Sequence, residues 1–250
     1  GMVSGCDKAF RVPDLELDSL TQNEIAATMK VVKAKDADLL IPKSHSRYIN
    51  VPIGLSEKDF RHDYPNFARI MKPYREILEA RYSYGRVLPY WEWSFRRSEK
   101  MLTSNTTKGF IPCKERMTNK AEARFSIVKP GMVATQDMTA FIPLEGVKES
   151  IEYIVAFLTL PAVSDWIRLR GLMKGGVAEF SERPLGLTPF LPIDFSDSRQ
   201  TELHDRITAT AKAAQDTGNS VEALKELRAM FAQLMTKEHT TAQFTAALAA

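Results

Sequence analysis

The side chains best able to do chemistry cluster between Tyr90 and Arg124. Trp91 and Trp93 alternate in Leu88-Pro89-Tyr90-Trp91-Glu92-Trp93-Ser94-Phe95, and Arg96, Arg97 and Lys100 follow at once. Aromatic rings interleaved with cations are what base stacking and phosphate neutralisation require. A strand over Trp91–Phe95 would put both tryptophans on one face as core anchors, leaving the cations to meet a polyanion. Lys108, Lys114, Arg116, Lys120 and Arg124 continue the series, with Asn105, Thr106, Thr107, Thr118 and Asn119 among them. Arg and Lys read guanine edges, Asn reads adenine, and Ser or Thr reach bases or phosphates. The segment 116–122 reads as an exposed loop between strands, of a kind that enters a groove.

Patterns for catalysis are missing. His45, His62, His204 and His239 stand at no metal-ligand spacing. Neither a GxSxG elbow nor a GxGxxG or GxxxxGK[ST] phosphate loop occurs. Lys108, Lys114 and Arg116 flank Cys113 and could activate its thiol, but no histidine is near in sequence, so an ordinary strand cysteine is expected. Asp36 and Asp38 read as a solvated loop. A small enzyme built on Cys113 or a histidine has no supporting spacing.

These residues need a frame, and 250 residues with 44% hydrophobic and 26% charged content suffice for one large domain or two small ones. Two cysteines, Cys6 and Cys113, make no disulfide framework, so a reduced, cytoplasmic setting is expected. No apolar run is long enough to span a membrane. The abrupt opening at Gly1-Met2 suggests a fragment. The net charge of +3 hides an asymmetry: residues 61–129 carry 15 Lys or Arg against 7 Asp or Glu. Such a local surplus is the footprint of a polyanion-binding face.

The pattern predicts an α+β chain of small mixed sheets and hairpins with flanking helices and a C-terminal helix pair. Strands are expected over Lys8–Val12, Leu39–Pro42, Arg47–Val51, Lys108–Pro112, Arg124–Val128 and Val177–Phe180. Helices are expected over Thr21–Lys33, with Thr21 and Glu24 as a capping box, and over Ser56–Arg81, broken at Pro65 or Pro73. Lys129-Pro130-Gly131 has a type II turn signature and implies a hairpin between Phe125–Val128 and Val133–Phe141. Lys148–Leu160 and Ala162–Leu172 read as helices and Arg183–Ile193 as an extended segment. Ser196–Gln215 and Ser220–Lys237 form the final pair, with Ser220 as N-cap of the second.

The order of these features resembles a known family. Gly1-Met2-Val3-Ser4-Gly5-Cys6-Asp7-Lys8-Ala9-Phe10 is similar to the G-[IVM]-x-[ST]-G-x-x-x-[AV]-F segment that follows the catalytic domain of gamma-class adenine-N6 DNA methyltransferases. A helix ending in Leu78-Glu79-Ala80-Arg81, the tryptophan segment, Ser98-Glu99-Lys100-Met101-Leu102, β hairpins, Ile154-Val155-Ala156-Phe157-Leu158 and the Pro-rich Leu187–Ile193 follow in the order of those enzymes' TaqI-like target-recognition domains. Ser98-Glu99 replaces the usual Pro before Lys100, and Thr159-Leu160-Pro161 replaces an Asn-Ser.

The resemblance implies a DNA-recognition domain over 1–195 and a helical extension over 196–250. It implies double-stranded DNA as partner, with an upstream methyltransferase catalytic domain in the parent chain of a type II restriction-modification system. The [NDS]PP[YFW] motif and the S-adenosylmethionine loop of that catalytic domain are absent from this sequence, so the fragment itself is expected to bind no cofactor and to be non-catalytic. DNA-binding candidates are Ser4 and Lys8 of the opening motif, then Arg96, Arg97, Lys100, Lys108, Lys114, Arg116, Asn119, Lys120 and Arg124. Arg96, Arg97 and Lys100 are expected on phosphates, and Arg116, Asn119 and Lys120 nearer base edges. The helix pair is expected to lie outside the recognition core. The alternative, a specificity subunit of a multi-subunit restriction system, predicts two repeated halves, and no repeat is visible.

Overall fold

The computed structural model describes residues 1–83, 85–118 and 122–235. Its strands are β1 (Thr28–Val32), β2 (Ser46–Ile49), β3 (Lys108–Pro112), β4 (Lys114–Arg116), β5 (Ser126–Val128), β6 (Met132–Ala134), β7 (Met138–Phe141), β8 (Met173–Lys174) and β9 (Val177–Glu179). Its α-helices are α1 (Asp7–Phe10), α2 (Gln22–Ala26), α3 (Glu57–Asp63), α4 (Pro65–Met71), α5 (Arg75–Glu79) and α6 (Glu99–Leu102). They continue with α7 (Ile151–Leu158), α8 (Pro161–Arg170), α9 (Glu182–Gly186), α10 (Ser198–Thr217) and α11 (Ser220–Leu234). The chain is α+β, as its pattern predicts. Among the described residues no helix is long and apolar enough to cross a membrane.

Two compact units form, each from three stretches of chain. The first comprises Gly1–Lys33, Ser44–Asn105 and Gly131–Gln136. The second comprises Ala34–Lys43, Thr106–Pro130 and the chain from Asp137 on.

In the first unit β1 lies between β2, antiparallel, and β6, parallel. Thr21 and Glu24 make the expected capping box, but α2 ends at Ala26 and the apolar Met29, Val31 and Val32 belong to β1. Their β-branched side chains favour the pleated surface once a sheet partner exists. The Glu24 carboxylate also accepts from Asn66 N at 2.7 Å, Phe67 N at 3.2 Å and Asn66 Nδ2 at 2.8 Å, so one acid caps α2 and α4. Burial pushes this carboxyl up, but the hydrogen bonds from Asn66, Thr21 and Phe67 together hold it below the ordinary carboxylate value. Both Pro65 and Pro73 interrupt the predicted long helix, because neither ring nitrogen can donate. Residues 7–10 form α1 in place of the expected strand.

Tyr90, Trp91, Glu92 and Trp93 are all buried, so the predicted alternating strand is a compact turn. Trp93 packs on Phe10 and Tyr48 and donates Nε1 to Ile49 O at 2.9 Å. Trp91 stacks on Phe60, with centroids 4.8 Å apart. Both are core anchors. Arg81 holds the turn by donating to the carbonyls of Pro89 at 2.8 Å, Glu92 at 2.5 Å, and Tyr90 and Ser4 at 3.4 Å. Burial lowers its pKa to about 10. Gly5 lies against this guanidinium stem: with φ +85°, a Cβ there would stand 2.5 Å from Arg81 Cδ.

The second unit has two small sheets, β5-β3-β7 and β4-β9-β8. β5 pairs with β3 and β6 pairs with β1, so the predicted hairpin across Lys129-Pro130-Gly131 does not form. The turn is real, with Gly131 at φ +80°, but it carries the chain from one unit to the other. A turn signature fixes the local bend and does not choose the sheet its arms join. The core gathers on α7, where Tyr153 and Phe157 meet Phe190 and Phe231. Tyr153 donates to Leu191 O at 2.9 Å. Leu224, Leu227, Met230, Phe231 and Leu234 of α11 join the same core, so the helix pair packs within this unit. Asp197 caps α10, and Gly218 at φ +73° ends it. Asn219, one residue earlier than expected, caps α11. Residues 183–186, expected to be extended, belong to α9 before the chain straightens.

Candidate nucleic-acid interface

The sheet β4-β9-β8 presents the clearest cationic face. Exposure alternates along β4: Lys114 and Arg116 point outward and Glu115 inward. Arg124 grips Glu115 from within through two parallel bonds of 2.9 Å, and its Nη1 donates to Ala37 O at 3.1 Å. Such a bidentate pair is geometrically rigid. Arg116 and Lys174 both register on Val177, one from each side. Directly opposed residues share a face, so these two cations flank Val177 about 10 Å apart on the outer surface. Among the described residues neither has an ion-pair partner. Lys114 lies opposite Glu179, whose carboxylate accepts from Ser181 Oγ at 2.7 Å.

A two-residue turn closes this sheet beside Arg116. Gly175 and Gly176 have φ +56° and +76°, the left-handed pair that a type I′ hairpin needs. Gly176 O accepts from Met117 N at 2.9 Å. A Cβ on Gly176 would stand 2.7 Å from Thr118 Cγ2. The glycine is therefore favoured here by its positive φ.

The sequence candidates divide between the units. In the first, Lys8, Arg97 and Lys100 are exposed, and the Arg97 guanidinium lies 5.5 Å from the Phe95 ring centroid. Arg96 is mostly buried, bonded to Glu99 at 2.6 Å and to Val51 O at 3.3 Å. Ser4 is buried and donates to Asp7 at 2.5 Å. In the second unit Lys114 and Arg116 are exposed. Lys108 is fully buried, its Nζ donating to Thr106 O at 2.7 Å, and burial lowers its pKa.

Ser4, Arg96, Lys108 and Arg124 are each bonded within their own unit, Ser4 and Lys108 buried and Arg96 and Arg124 partly exposed. Asn119 and Lys120 lie outside the described residues. Cys113 sits half-buried beside Thr139 Oγ1 at 3.3 Å, an ordinary site. Sequence reasoning missed Lys174. The signal was the Gly175-Gly176 dipeptide between two short strands, which marks a hairpin.

No family model matches the chain. It is 41% identical over 208 residues to the type II methyltransferase M.HindII of Haemophilus influenzae, covering 83% of this chain and 40% of that protein. It is 40% identical over 206 residues to the type II methyltransferase M.HincII of the same species, with 82% and 40% covered. A third relative, the type II methyltransferase M.MjaIV of Methanocaldococcus jannaschii, is 24% identical over 192 residues, with 74% and 61% covered. The chain thus spans about two fifths of the length of the first two relatives. Its fold matches part of the type IIL restriction-modification enzyme MmeI, solved in complex with DNA. That match has a TM-score of 0.65 and 12% identity, over all of this chain and 34% of that one. The chain is therefore related in sequence to type II methyltransferases, and it shares its fold with part of a restriction-modification enzyme.

Proposed function

We propose that this chain is the sequence-reading part of an adenine-N6 DNA methyltransferase of the gamma class, and that its 1–195 region meets double-stranded DNA. The observation that carries the reading is the cation pair Arg116 and Lys174 on the outer face of a small sheet, beside a hairpin tip bare of side chains. The relatives' names support methylation as the activity of the whole protein. Methylating a base amine within a duplex requires flipping that base out, so one part of such an enzyme does chemistry while another holds and reads the duplex.

Here Arg116 and Lys174 reach base edges, joined by Asn119 and Lys120 from the sequence. Lys8, Arg97, Lys100 and Lys114 neutralise phosphates. The upstream catalytic part of the parent supplies the S-adenosylmethionine site and the transfer.

Fluorescence anisotropy on labelled duplex DNA over a salt series tests this. Log K should fall with log salt by about 0.9 for each phosphate neutralised. Arg116→Ala or Lys174→Ala should relax the preference at one base position by roughly tenfold. Binding indifferent to salt, or two variants with wild-type preference, overturns the reading.

A further inference from the structure

The outer face of the β4-β9-β8 sheet carries one anion among its cations. β9 is the central strand, and its Ala178 points inward and is buried, so Val177 and Glu179 point outward two residues apart. Lys114 stands opposite Glu179, and Arg116 lies on the diagonal from it, a separation that long side chains span. Opposed strand residues of opposite charge attract each other. Yet among the described residues neither Lys114 nor Glu179 is in an ion pair. Glu179 Oε1 accepts from Ser181 Oγ at 2.7 Å, which orients the carboxylate and leaves Oε2 to take a further donor.

A carboxylate on a face that meets DNA is repelled by every phosphate, so it weakens binding to all sequences unless it finds a donor. Ionised, it can only accept. On its major-groove edge cytosine offers the N4 amine and no acceptor. Adenine sets the N7 acceptor beside its N6 amine, which suits an amide and repels the second oxygen of a carboxylate. Guanine and thymine present no donor there.

We infer that Glu179 is a specificity-determining residue that accepts a hydrogen bond from the N4 amine of a cytosine in the major groove. The inference rests on the reading that this face of the sheet meets duplex DNA. Ser181 holds one carboxylate oxygen, and the other takes the amine hydrogen. Arg116, on the diagonal, is placed for guanine O6 and N7 nearby. The acid discriminates by rejection as much as by attraction, because it repels any duplex that lacks the cytosine.

Selection from a randomised duplex library with the 250-residue chain tests it, using Glu179→Ala, Glu179→Gln and Arg116→Ala. Affinity for a duplex of A·T pairs alone, which offers no cytosine, and the Tm are measured alongside. The wild-type chain should select cytosine at one position by about tenfold, and Glu179→Ala should erase that preference. The same variant should bind the A·T duplex about threefold more tightly, because a charge facing phosphates is gone. Glu179→Gln should move the preference at that position to adenine, whose N6 and N7 an amide meets together. A carboxylate that only supports the fold would instead weaken binding to both kinds of duplex. Where Glu179→Ala lowers Tm sharply, Glu179→Gln, of the same shape, decides by its shift toward adenine. Unchanged cytosine preference in both Glu179 variants, with Arg116→Ala still relaxing preference, overturns the role of Glu179 and leaves the reading intact. A wild-type chain that enriches no sequence overturns the reading itself, and this inference with it.

Discussion

Both units hold some cations within the fold and leave others outward, but on different elements. In the first, Arg61, Arg69, Arg75 and Arg96 are paired to Glu57, Glu16, Glu57 with Glu79, and Glu99. Arg81 is wrapped in backbone carbonyls. Arg97 and Lys100 stay exposed. In the second unit a shorter basic stretch leaves Lys114 and Arg116 outward and adds Lys174 from a distant part of the chain. A count of charges measures composition, whereas a binding face depends on which charges have nothing else to hold. Arginine is prone to the first use because its planar fork meets carbonyls and carboxylates within the fold.

Three experiments probe this contrast. The largest effect should come from Arg81→Ala, which strips four carbonyls of their donor and should cost about 3 kcal/mol or more in urea unfolding. A loss below about 1 kcal/mol would show that the turn carrying Trp91 and Trp93 stands without it.

Next is Glu24, whose folded pKa lies below its unfolded value. Its contribution is present above the unfolded pKa and lost as pH falls through the folded one. Urea midpoints measured from neutral pH into the acid range should fall there, and Glu24→Gln should fall less steeply. Parallel curves for the two proteins would remove this carboxylate from the acid response.

The smallest effect is expected for Arg97→Ala and Lys100→Ala. Each should weaken duplex binding alike for all sequences and reduce the salt slope by about one. Altered base preference in either would move the reading surface into the first unit.

Much of the local structure was legible in the sequence. The Thr21–Glu24 capping box, the Ser56 cap on α3, strand β3, and helices α7 and α8 follow from caps and periodicity within a few residues of chain. Partnership was not legible. Met29–Val32 suits helix or strand until β6, a hundred residues on, settles the matter. Val128 and Met132 flank a well-formed turn and yet join different sheets.

The site followed the same rule. Arg116, expected in a loop, ends strand β4 instead, where exposure alternates. Lys174 was missed because its place beside Arg116 is set by β9 between them. The opening motif had a packing cause: Gly5 makes room for Arg81, and a Cβ on Gly1 would stand 2.1 Å from Thr135 O. Ser4, taken from that motif as a DNA contact, is part of the same packing.

The interleaving of the two units along the chain constrains how the protein can form. Strand β1 cannot gain its parallel neighbour until Met132–Ala134 has been synthesised, and by then the second unit's β3, β4 and β5 have already been made. Neither unit can finish before the other has begun. Early on the ribosome, β1 has β2 on one side and an open edge on the other, the kind of edge that recruits foreign strands. Contacts of such long sequence separation close slowly. A truncation before Met132 should therefore yield aggregating chains, and an exchange of surface segments between relatives should succeed only on an intact interleaved frame.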